Sequence, residues 1–159
     1  MGRKSIKENK SHLQLCREAC GWTREEASDA LQTISPDRLE KLENDKTRVH
    51  PEDIVEIATG YKQPELCNWY CHEECAIGQK IVPALEPMDL TRSVMDIMNR
   101  LTLLNAQKDR MVALAADGQI TPEERQEFSG IYEQLDQLTN SVESLKVWVR
   151  KTLADGKLD

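Results

Sequence analysis

The chain has 159 residues, 39% of them apolar but only 4% aromatic, and a net charge of −7 from 21 basic and 28 acidic side chains. That length fits one average domain or two small ones, and a large enzyme fold with a deep cofactor pocket is not expected. No apolar run approaches the ~20 residues that span a bilayer, and the acidic surplus argues against indiscriminate coating of nucleic acid.

Met1-Gly2-Arg3-Lys4 leads into polar residues rather than an apolar stretch, so no signal peptide is expected. The expectation is a cytoplasmic protein whose five cysteines are thiols or metal ligands rather than disulfides. The charge is uneven. Arg3, Lys4, Lys7 and Lys10 against Glu8 give residues 1–10 a local +3. Residues 1–66 hold 11 basic and 13 acidic residues, net −2, and residues 67–159 hold 10 and 15, net −5. Any affinity for nucleic acid would have to come from a local basic face rather than from the charge of the whole chain.

The elements read as helices throughout, with no strand candidate of sustained alternation. Leu13, Cys16, Ala19 and Cys20 share one helical face, which Gly21 ends. Thr23 reads as an N-cap, with Glu26 three residues on completing a capping box, for a helix running to about Leu31. Ser35 is the next N-cap, with Pro36 at the first helical position, where its missing N–H costs nothing. That third helix carries Leu39, Leu42 and Glu43 and ends near Asn44-Asp45. Pro51 opens a fourth helix, with Ile54, Ile57 and Ala58 inward, and Pro64 opens a fifth reaching towards Cys75. These five helices form a first domain over residues 1–77. Residues 78–87, with Pro83 and Pro87, read as a linker.

Residues 88–159 change character. Leu90, Val94, Ile97, Leu101, Leu104, Lys108, Met111 and Ala115 alternate in steps of four and three, as do Phe128, Ile131, Leu135, Leu138, Val142, Leu145, Val149 and Thr152. Each is a heptad seam of about four repeats. Gly118 can end the first helix, and Thr121-Pro122 with Glu124 can open the second. So short a connection makes the two antiparallel neighbours, each about 40 Å long at ~1.5 Å per residue. The expected fold is all-α: five short helices followed by a long helical hairpin. Met98, Val112, Tyr132, Trp148 and Leu153 widen the apolar stripe beyond what one partner helix covers. The hairpin is therefore expected to pair with a second copy as a homodimer.

Residues 8–66 resemble the Cro/C1 (Xre-type) helix-turn-helix family of phage and bacterial repressors. The resemblance rests on Gly21-Trp22-Thr23-Arg24-Glu25-Glu26-Ala27-Ser28, then Leu39-Glu40-Lys41-Leu42-Glu43, then Pro51-Glu52 with Ile54 and Ile57. It implies a lambda-repressor-like five-helix domain and a non-catalytic transcriptional regulator that binds double-stranded DNA. The recognition helix would begin at Pro36, with Asp37, Arg38 and Lys41 facing outward. Arg38 could read a guanine through paired donors to O6 and N7. Arg24, standing where the family typically has Gln, and Lys41 would bind phosphate, with Arg3 and Lys4 of the basic arm at residues 3–10 on the backbone. The turn Gln32-Thr33-Ile34 is one residue longer than the family's usual turn and lacks its Gly. The alternative is a domain that keeps the helices and serves as a protein-interaction module without touching DNA.

Cys67, Cys71 and Cys75 are spaced four apart, with His72 beside the second. Thiolates with an imidazole suit Zn²⁺ or an Fe–S cluster; the competing reading packs them as small hydrophobes, as for Cys16 and Cys20. Residues 117–124 mimic half of an EF-hand loop, but its first and third ligand positions fall on Ala113 and Ala115, which excludes Ca²⁺.

Overall fold

The computed structural model describes residues 10–85, 88–116 and 118–158. All regular elements among them are helices: α1 (His12–Ala19), α2 (Arg24–Leu31), α3 (Pro36–Glu43), α4 (Pro51–Gly60), α5 (Glu65–Glu73), α6 (Gly78–Ile81), α7 (Leu90–Ala106), α8 (Lys108–Ala115) and α9 (Arg125–Ala154). The chain divides into two compact units. One comprises the described residues of Met1–Ala84 and Lys151–Asp159; the other is Leu85–Arg150.

In the first unit α1, α2 and α3 each start where a side chain satisfies a free N–H group. Thr23 Oγ1 accepts from the Glu26 N–H at 3.2 Å, while Glu26 accepts from the Thr23 N–H at 2.7 Å. Ser35 Oγ accepts from the Arg38 N–H, and Ser11 Oγ from the Gln14 N–H, each at 3.3 Å. Helices of eight residues cannot stand alone in water. They are held by a common core in which Ala27, Ile34, Leu39, Leu42, Ile54, Ile57 and Leu66 are almost wholly buried. At ~25 cal/mol per Å², each such Leu or Ile contributes about 1.5–3 kcal/mol.

The turn between α2 and α3 works without a glycine. Gln32 itself takes the left-handed conformation, φ 66°, and donates its N–H to Ser28 O at 3.0 Å. Such a φ is costly for a non-glycine residue unless the surroundings impose it. Here the next N–H, that of Thr33, is bound by Glu56 of α4 at 3.0 Å.

The stretch read as a linker contains α6 and lies strapped to α5. His72 Nδ1 lies 2.8 Å from Val82 O, and Asn68 Nδ2 donates to Pro83 O at 3.2 Å. Gly78 sits so close to α5 that a Cβ there would meet the Cys71 carbonyl. Pro87 lies outside the described residues.

The second unit is the antiparallel hairpin, with two differences from the sequence reading. Its first arm breaks at Gln107, φ −102° and ψ 0°, into α7 and α8. Its second arm begins at Arg125; Thr121 and Glu124 make their capping contact one turn earlier, Thr121 N donating to Glu124 at 3.1 Å. Cross-helix pairs set the register: Asp96 with Ser141, Arg100 with Gln137, and Arg110 with Glu127 at 2.7 Å. Every step forward along one arm meets an equal step backward along the other.

The arms are also rotated about their axes relative to the expected seams. Ser93 is fully buried, and Ser141 and Ser144 nearly so, beside Leu114 and Ile131. Val94, Leu101, Phe128 and Leu135, expected in the seam, are 39–43% exposed. Three of these apolar residues follow a less exposed polar one by one position: Ser93 and Val94, Arg100 and Leu101, Gln134 and Leu135. One residue is a step of about 100° around a helix. On antiparallel arms the same step carries both apolar stripes to one side of the hairpin. The rotation brings the three polar pairs together, and small serines let the arms approach.

Candidate nucleic-acid interface

The outward side of α3 and the N-terminus of α2 form the surface where a helix-turn-helix would meet DNA. Its rigidity comes from charged side chains that tie α3 to the rest of the domain. Glu43, at the end of α3, has a side chain only 1% exposed. Burying a carboxylate there is costly unless it is fully paired. Arg17 of α1 supplies Nε at 2.5 Å and Nη2 at 3.0 Å, and Arg24 of α2 supplies Nε at 2.9 Å. Arg17 also donates from Nη1 to Trp22 O at 2.6 Å. Its hydrogen bonds to Glu43 hold the guanidinium pKa above its already high ordinary value. Three helices therefore converge on one buried carboxylate, and two of its partners flank the N-cap of α2.

A second clamp joins α3 to α4. Arg38 donates from Nε to Asp53 Oδ1 at 3.0 Å, and from Nη2 to Oδ1 at 2.8 Å and Oδ2 at 2.7 Å. Asp53 is 8% exposed and also caps α4, accepting from the His50 N–H at 3.0 Å. The Arg38 side chain remains 41% exposed. Lys41 pairs with Asp37 one turn away at 2.7 Å, both exposed, and Lys46 pairs with Glu40 at 3.1 Å.

The structure thus brings Asp37, Arg38 and Lys41 together on one outward face, with Arg24 at the head of α2. Each of the three basic groups is engaged by a carboxylate of its own domain. Arg3 and Lys4 lie outside the described residues. Sequence reasoning named Arg38 but not its partner Asp53, although an acid two residues after Pro51 is a capping signal. It read Glu43 only as part of α3, without seeing the two arginines it gathers.

Of the candidate metal ligands, Cys67, Cys71 and His72 lie on α5 and Cys75 lies just beyond it. Among the described residues no three His, Cys, Asp or Glu side chains are grouped as a metal ion would need. Cys67, Cys71 and Cys75 pack against the edge of the apolar core. His72 turns its Nδ1 to the Val82 carbonyl, and Cys75 Sγ accepts the Gly78 N–H at 3.5 Å. The N–H groups of Gly78 and Ile77 hold the Cys75 thiol below its ordinary pKa, whereas burial pushes Cys16 up to about 11.

Comparison with known protein families matches residues 11–66 to the model of a helix-turn-helix domain. The match takes in α1 to α4 and the start of α5. It supports a DNA-binding regulator in general, because helix-turn-helix domains place their second helix in the major groove. Neither the curated proteins nor the solved structures gave a match to the chain. No helix of the described residues is long and apolar enough to cross a membrane.

Proposed function

We propose that the chain is a sequence-specific transcriptional regulator of the Xre type, a repressor without enzymatic activity, acting on DNA in the cytoplasm. The observation that carries this reading is the fixed, outward N-terminal half of α3, clamped to α1, α2 and α4 by Glu43 and Asp53. Such a helix can enter a major groove without paying to be ordered first. Arg38 is the base reader; Arg24 and Lys41 lie at the backbone; Arg3 and Lys4 extend the basic surface.

The second unit makes the regulator a homodimer. Its arms meet through serines and polar pairs, and only Leu114 and Ile131 are fully buried apolar side chains among its described residues. A core that small does not hold a folded unit by itself. Leu90, Val94, Leu101, Phe128 and Leu135 stay 39–43% exposed on the outward side, a stripe of the kind that a specific interface covers. A second hairpin laid on that side completes a four-helix bundle. Two-fold symmetry then matches a palindromic operator with half-sites one turn, ~34 Å, apart.

Selection from a random duplex pool, followed by titration at 50 and 200 mM salt, tests this. The expected result is enrichment of a palindrome, with affinity falling steeply as salt rises. One observation favours a second reading: Arg38 and Lys41, the basic residues of α3, are both paired within the domain. A protein-interaction module without DNA affinity would enrich no sequence.

A further inference from the structure

We propose that Asp53 is the positioning residue that aims Arg38 at one base pair of the operator. This inference rests on the DNA-binding reading above.

A free arginine side chain samples many rotamers, so a flexible guanidinium reads a base poorly and at an entropic cost. Arg38 is held. Its Nε–H and the adjacent side of Nη2 are taken up by Asp53. Asp53 is itself fixed: it is nearly buried, it sits in the first turn of α4, and its Oδ2 accepts the His50 N–H. The pairing leaves the terminal edge of the guanidinium, Nη1 with the far side of Nη2, to donate outward. That edge presents two parallel N–H groups, the pattern that matches O6 and N7 of guanine. The carboxylate also offsets part of the positive charge. Arg38 then adds little to indiscriminate phosphate binding while keeping its directional donors. The arrangement favours selectivity over bulk affinity.

Asp53→Asn isolates the role, because asparagine keeps the size and an acceptor oxygen for the His50 N–H. The variant chain is compared with wild type on the selected duplex, on duplexes changed at each base pair, and on an unrelated duplex, with thermal unfolding followed in parallel. The expected result is a drop on the order of tenfold for the selected duplex, with affinity for the unrelated duplex unchanged or higher. The loss of preference should fall on one base pair per half-site. Arg38→Ala should erase preference at that same base pair, and the double variant should lose nothing more there. If Asp53→Asn does not fold, Arg38→Lys replaces it: a lysine keeps the charge beside Asp53 but lacks the fork, and must show the same single-position loss. Equal weakening on all duplexes, or a lower melting temperature with preference intact, would make the pair a structural strut and overturn the proposal. A wild-type chain that enriches no sequence removes the DNA-binding reading itself, and the positioning role with it.

Discussion

The two units solve the same packing problem in opposite ways. The helix-turn-helix unit puts its leucines and isoleucines inside and uses buried ion pairs as fixed joints between helices. The hairpin puts serines and polar pairs between its arms and leaves an apolar stripe outside. The first arrangement is self-sufficient. The second leaves polar groups inside that gain little from being there: the fully buried Ser93 Oγ and the Gln134 Oε1 atom have no hydrogen-bond partner within the unit. A buried hydroxyl without a partner costs about 1–3 kcal/mol. An element that spends stability inside and shows hydrocarbon outside is built to be completed by something else.

The sharpest way to break the first unit is to remove the carboxylate its helices share. Glu43→Ala leaves Arg17 buried without a counter-charge and frees Arg24. The expected loss is about 3–5 kcal/mol of stability. Urea unfolding should show a large fall in midpoint for the tryptophan signal, to which Trp22 and Trp69 of this unit contribute. Glu43→Gln, which keeps hydrogen-bond acceptors, should recover part of it. A fall below about 1 kcal/mol would mean that the joint contributes far less than its burial implies.

The second unit should break at its surface rather than at its seam. Leu101→Asp or Leu135→Asp places a charge in the middle of the outward stripe, at residues 40–43% exposed in the single chain. Light scattering should show the wild type near twice the 18.2 kDa chain mass. The variants should need on the order of 100-fold more protein to pair, as for a centrally placed anchor residue. Ser141→Ala, inside the seam, should be nearly silent in the same assay. If the aspartates leave assembly unchanged while Ser141→Ala abolishes it, the outward stripe is not the interface.

Legibility in the sequence follows the same division. The caps of α2 and α3 could be read from Thr23, Glu26, Ser35 and Pro36, because capping is a contact between residues three apart. The buried positions Leu39, Leu42, Ile54 and Ile57 were legible as one face of a helix. The hairpin's existence was legible from its heptads, but the rotation of its arms was not. Val94 and Leu101 have the period of a seam, and periodicity alone does not say which partner a stripe will meet. Polar pairing between residues 37 to 45 apart in the chain, as between Arg100 and Gln137 or Asp96 and Ser141, settled that question. The candidate site was half legible for the same reason. Arg38 is outward by helical phase, whereas its tie to Asp53 joins two helices and leaves no local trace. The spacing of Cys67, Cys71 and Cys75 was legible, but the turn of His72 to the Val82 carbonyl joins residues ten apart and was not.

Between the two large effects lies one on the interface itself. Arg24 serves two ends: its Nε meets Glu43, and its side chain is still about one-third exposed at the head of α2. Arg24→Ala should weaken binding to every duplex alike and flatten the salt dependence by about one phosphate contact. The melting temperature should fall less than for Glu43→Ala, because Arg17 stays paired. A change in base preference without a change in salt slope would place Arg24 among the readers instead.

The smallest expected effect is a pH dependence in the first unit. His12 of α1 stacks on Trp69 of α5, ring centroids 4.4 Å apart and planes 15° from parallel. Burial against the indole disfavours the imidazolium and lowers the pKa below the ordinary 6.5, with Glu65 and Glu73 opposing the shift. The unfolded chain therefore binds the proton more readily than the folded one. Stability contributed by the neutral ring is fully present above about pH 6.5 and is lost as pH falls through the depressed folded value. His12→Phe keeps a stacked ring and removes the proton. The difference in urea midpoint between wild type and His12→Phe should be flat above pH 7 and should widen against the wild type between pH 6.5 and 5. Because carboxylates titrate in both proteins, only this difference isolates His12. If the two chains keep parallel profiles down to pH 5, the stacked ring is no more averse to its proton in the folded domain than in the unfolded chain.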